Sequence, residues 1–76
     1  MESAQWRQAA VVLERALRID SSDAQLWNAL AQVHLQQGHY QQAENFAKKS
    51  NFLAGRDDFL KELNELIIQN ARKHEF

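Results

Sequence analysis

A chain of 76 residues forms one small domain at most, and a domain of this size buries only about 60% of the surface its unfolded form exposes. With no cysteine it has neither disulfides nor a Cys-based metal site to support it, so helix or strand packing must supply its stability. The formal charge of −1, with Lys and Arg spread along the chain, provides no source for the sequence-independent attraction that dominates nucleic-acid binding, and no nucleic-acid partner is expected. The longest apolar run, Ala9 to Leu13, is far short of the roughly 20 residues that span a bilayer. No basic-then-apolar leader stands at the N-terminus, so a soluble chain with no direct membrane insertion is expected. Zero prolines and two glycines, with Ala, Leu, Gln, Glu, Lys and Arg abundant, indicate an all-α protein.

Trp6, Ala9, Ala10, Leu13, Ala16 and Leu17 recur three and four apart, which places them on one face of a first helix over residues 3–19. The cluster Asp20-Ser21-Ser22-Asp23 breaks that pattern with side chains that prefer to bond local backbone. Ser22, followed three residues later by Gln25, reads as a capping box that opens a second helix. The apolar side of that helix carries Leu26, Trp27, Leu30, Ala31, Val33 and His34, and it stops before Gly38, the residue type best able to take a left-handed C′ conformation. Tyr40, Ala43, Phe46, Ala47, Ser50 and Leu53 define a third helix, and the short Gly38-His39 connection makes the second and third an antiparallel pair.

Gly55 ends the third helix and Asp57 caps a fourth over about residues 58–73, in which Phe59, Leu63, Leu66, Ile67 and Asn70 continue at helical spacing. Acids near its start and bases near its end complement the helix dipole. Glu14 with Arg18 and Glu44 with Lys48 are favourable i,i+4 pairs on what read as solvated faces.

An offset of 34 residues pairs Trp6 with Tyr40, Ala9 with Ala43, Val12 with Phe46, Ala16 with Ser50 and Ile19 with Leu53, large over large and small over small. The residues Trp27-Asn28-Ala29-Leu30-Ala31, His34, Gly38-His39-Tyr40, Ala43, Phe46 and Ala47 resemble the tetratricopeptide repeat pattern. That resemblance implies an α-solenoid fragment of antiparallel helical hairpins in a single domain over 1–76. Residues 3–19 would be the second helix of a partial repeat, 24–57 a full repeat, and 58–74 a C-terminal capping helix. His34 stands where tyrosine is usual, Ala31 where glycine is usual, and Ser21 and Gly55 where proline is frequent. Lys61, Asn64 and Glu65 fall where Trp27, Leu30 and Ala31 stand one repeat earlier, so the packing code lapses and the last helix reads as a terminal cap. Leu26-Trp27 and the run from Ala31 to Gly38 also resemble repeats at the C-terminal ends of small bacterial envelope proteins, which implies a bacterial periplasm or cytoplasm.

Chemistry is sparse. His34 and His39 lie five apart across a turn with no third ligand at a recognisable spacing, so His34 reads as a core-edge residue, His39 as a surface one, and His74 as part of a fraying terminus. No metal or cofactor is expected. Every carboxylate reads as lying at a helix start or on a polar face, and no phosphate loop, nucleophile elbow or zinc motif appears, so no enzymatic activity is expected.

Gln25, Asn28, Gln32, Leu35 and Gln36 line one stripe of the second helix. The resemblance implies that this stripe faces a concave groove holding a peptide or protein segment, to whose backbone uncharged amides can both donate and accept. An ordinary solvated face is the plain alternative. The stripe lacks the Lys and Arg of carboxylate-clamp members, which disfavours acidic chaperone tails. Trp27, Tyr40 and Phe46 read as core. The first helix has no preceding partner in this sequence, so Trp6, Val12 and Leu13 are expected to be covered either by a second copy as an oligomer face, most simply across a two-fold axis, or by upstream residues absent from this chain. The expected function is a non-catalytic protein–protein interaction scaffold, with a self-associating homodimerisation module as the alternative.

Overall fold

The computed structural model describes residues 4–74. Four helices follow one another, α1 (Ala4–Ile19), α2 (Ala24–Gln36), α3 (Tyr40–Leu53) and α4 (Asp58–Lys73), with no strand among the described residues. The bounds agree with the sequence reading except at residue 3, the expected start of the first helix, which lies outside the described residues.

The turns follow from local chemistry. Asp23, rather than Ser22, caps α2, its carboxylate accepting from the Gln25 N–H at 3.0 Å and the Leu26 N–H at 3.3 Å. Ser22 is drawn instead to Asp20, donating to its Oδ1 through the hydroxyl at 2.7 Å and the backbone N–H at 3.1 Å, so the cap moves one residue on and the expected Ser22/Gln25 capping box does not form. The two Ser22 bonds, the hydroxyl first, hold the Asp20 carboxyl below its ordinary range. Gly38 takes φ +79° as expected. Gly38 N–H donates to Leu35 C=O and His39 N–H to His34 C=O, the paired bonds of a Schellman stop. Asp57 caps α4 through the Leu60 N–H at 3.0 Å.

The helices form a slab of 36 × 28 × 15 Å, little thicker than one helix with its side chains, so few residues are covered on all sides. α2 and α3 form the central antiparallel pair, α1 packs on α2, and α4 packs on α3 and α2. α1 and α4 stand at opposite ends of the stack. Two apolar clusters result. Ala31, Ala43, Ala47 and Ala71 let α2, α3 and α4 approach closely around Ile67 and Ile68, while Ala10, Leu17, Leu30 and Val33 join α1 to α2. Phe46 touches both clusters and stacks obliquely on Trp27 and His34 at centroid distances of 5.7 and 5.1 Å.

α4 is rotated relative to the stripe expected from its sequence. The residues it buries are Leu60, Asn64, Ile67, Ile68 and Ala71, whereas Phe59 and Leu66 are 70% and 60% exposed and Asn70 is also exposed. Both sets repeat at helical spacing, and the polar Asn64 decides between them. It is fully buried, its Nδ2 donating to Ser50 Oγ at 2.7 Å and Asn51 Oδ1 at 3.0 Å, its Oδ1 accepting from Asn28 Nδ2 at 2.7 Å. Ser50 Oγ in turn donates to Ala24 C=O at 2.7 Å. One relay of bonds therefore fixes α4 on α2 and α3. Each buried polar atom that lost its partner would cost about 1–3 kcal/mol, so the register of α4 is tightly set.

Candidate protein-interaction cleft

Because α1 and α4 flank α2 without meeting, a cleft of about 460 Å³ opens between them with α2 as its floor. Trp6 and Leu13 form the α1 wall, Leu63, Leu66 and Ile67 the α4 wall, and Ala29, Gln32, Val33, Leu35 and Gln36 the floor. The lining holds no charged side chain, so the cleft offers apolar surface with two amides.

Of the five residues expected on this stripe, Gln32, Leu35 and Gln36 line the cleft and Gln25 is exposed one turn before it. Asn28 is a correction. It is buried beneath α4, its amide committed to Asn64 and its carbonyl accepting from Gln32 Nε2 at 2.8 Å, so it orients Gln32 instead of meeting a partner. Leu35 is half-buried against the alanine cluster.

The three residues expected on an oligomer face do not share one. Trp6 and Leu13 turn into the cleft, and Leu13 also packs on the α1–α2 cluster. Val12 lies with Ala4, Arg7, Gln8, Val11 and Arg15 on the outer surface of α1, where Val11 is 46% and Val12 61% exposed.

Three further readings change. Glu44 does not lie on a solvated face: it is buried beside Ala43 and Ala47 and bonded by Lys48 Nζ at 2.8 Å and Arg72 Nη2 at 3.1 Å. The hydrogen bond from Lys48, then that from Arg72, holds its carboxyl down to about 2 from an ordinary 4.5. His39 is half-buried, its Nδ1 3.0 Å from that of His34, so one ring donates and the other accepts. His74 sets its ring edge-on to Tyr40 at a centroid distance of 5.1 Å. Among the described residues no group of three or more metal-ligating side chains converges, and no helix is long and apolar enough to cross a membrane.

Residues 1–52, which cover α1, α2 and all of α3 but its last residue, match the model of the tetratricopeptide repeat. The chain belongs to the tetratricopeptide repeat family. Repeats of this family generally mediate protein–protein interaction and are typically non-catalytic scaffolds. No curated protein and no solved structure matches the chain. The 34-residue offset and the close Ala31–Ala43 packing are the family features legible in both sequence and structure. α4 lies outside the matched span.

Proposed function

We propose that this tetratricopeptide chain holds a neutral, apolar segment of a partner protein in the cleft between α1 and α4. Residues 3–19 then act as the second helix of a partial repeat, 24–57 as a full repeat, and 58–74 as a cap whose inner edge supplies one wall. The observation that carries this reading is the uncharged lining, in which Trp6, Leu13, Leu63 and Leu66 face one another across Gln32 and Gln36. Apolar anchors of the partner lose water against the walls, at about 25 cal/mol per Å² of apolar area buried. The amides orient it. Gln32 gives one Nε2 hydrogen to Asn28 and keeps its carbonyl oxygen and second N–H for a partner backbone, and Gln36 can likewise donate and accept.

The test is photo-crosslinking from position 36 in the native host, followed by identification of the captured segment and titration of that segment as a synthetic peptide. Leu63→Glu with Leu66→Glu should weaken the peptide at least tenfold while leaving the helical circular dichroism intact. Undiminished binding to that double variant would remove the cleft from the account.

A further inference from the structure

We propose that the acidic outer side of α4 in one copy docks on the basic outer side of α1 in the next, so that copies of this chain stack head to tail. Arg7, Val11, Arg15 and Arg18 follow one another at i, i+4, i+8 and i+11, which puts three guanidiniums and an exposed valine on a single face. The sole acid of α1, Glu14, is exposed on the same side, seven residues after Arg7 and four before Arg18, so the face carries a net +2, three arginines against one glutamate. At the far end of the stack, Asp58, Glu62 and Glu65 follow at i, i+4 and i+7 on α4, all exposed, with Phe59 standing beside them. The bases of α4 lie elsewhere: Arg72 reaches Glu44 on the α3 side, Lys61 is half-buried, and Lys73 ends the helix two turns beyond the acids.

Spacing as well as sign agrees. Arg7 and Arg15 are about 12 Å apart along their axis and Asp58 and Glu65 about 10.5 Å along theirs, from a rise of about 1.5 Å per residue. Laid side by side, the two rows pair while Phe59 covers Val11 and Val12. A two-fold arrangement of α1 on α1 is opposed by the same residues. Arg7 and Arg15 are equidistant from Val11, so a two-fold axis there sets arginine against arginine twice, and like charges across an interface are costly. Since α1 and α4 occupy opposite ends of each copy, the contact is heterologous and passes from copy to copy, as a ring or an open filament according to its rotation. The proposal is independent of the cleft, whose wall residues it does not use.

Sedimentation velocity of the full chain decides it. The mass should rise with concentration beyond that of a dimer, and less so at high salt. Arg7→Glu with Arg15→Glu, or Glu62→Lys with Glu65→Lys, should each weaken association about tenfold or more, and an equimolar mixture of the two variants should restore it. If a reversal unfolds the chain by circular dichroism, Arg7→Gln with Arg15→Gln and Glu62→Gln with Glu65→Gln give the same readout with a smaller loss. Association that stops at a dimer and ignores the Glu62/Glu65 changes would overturn the proposal in favour of a two-fold α1 contact. A chain that stays monomeric to about 1 mM, whether or not α1 captures an acidic helix from another protein, would overturn it too.

Discussion

At one end of the slab α4 is fixed by directional bonds, with Asn64 joined to Asn28, Ser50 and Asn51 and Arg72 joined to Glu44. At the other end α1 rests on α2 through Ala10, Leu17, Leu30 and Val33, an apolar contact with no preferred direction. The difference matters for a cleft bounded by both. A polar network has one satisfied arrangement, so the α4 wall keeps its place, whereas apolar packing tolerates small shifts and lets the α1 wall adjust to what lies between.

Removing the network should have the largest effect. Asn64→Ala leaves the buried Asn28 amide without its acceptor, takes from Ser50 Oγ the bond it accepts, and opens a void, and should lower stability by about 2–4 kcal/mol, read as a drop in the denaturant midpoint. In a domain this small that is a large share of the total. Ala43→Leu forces a larger side chain between α2, α3 and α4 and should cost about 1–3 kcal/mol in the same assay. An unchanged midpoint for Ala43→Leu would contradict the close approach of these helices.

Glu44 gives a smaller effect that depends on pH. Its folded pKa, about 2, lies below the ordinary 4.5, so the folded state binds the proton less readily than the unfolded one. Its contribution is therefore complete above pH 4.5 and fades as pH falls toward 2. Lys48 and Arg72 are more than half exposed, which limits the loss to about 1 kcal/mol. The stability difference between the wild type and Glu44→Gln, followed by urea unfolding from pH 6 to pH 2, should shrink across that window. A constant difference would separate Glu44 from the packing of α4. Smallest of all, Gln36→Ala on the open floor should change the melting free energy by no more than about 0.5 kcal/mol. Asn28→Ala should not be silent, because it cuts the relay.

The helices, their caps at Asp57 and Gly38, and the alanine seam were legible because apolar period, turn residues and the 34-residue offset all agreed. The rotation of α4 was not, because Asn64 counts as polar in any periodic reading and the alternative Phe59-Leu66 stripe is equally regular. One signal pointed the right way: Ser50 falls on the core face of α3, and a buried hydroxyl needs a partner from the facing helix. Glu44 was misplaced for a related reason, since an i,i+4 pair with Lys48 does not reveal that Arg72 covers the same carboxylate from α4. The cleft was half legible. Gln32, Leu35 and Gln36 share a face by spacing, but its walls belong to helices whose positions depend on tertiary packing.

Hydrogen exchange of individual amides, measured by NMR at a concentration where the chain is monomeric, tests the contrast between the two ends most directly. The account predicts that amides in the middle of α1 exchange through a local opening of lower free energy than those of α2, α3 and α4, which open together near the global value. If α1 amides opened only with global unfolding, or if α4 opened before α1, the assignment of a fixed wall and an adaptable one would be wrong.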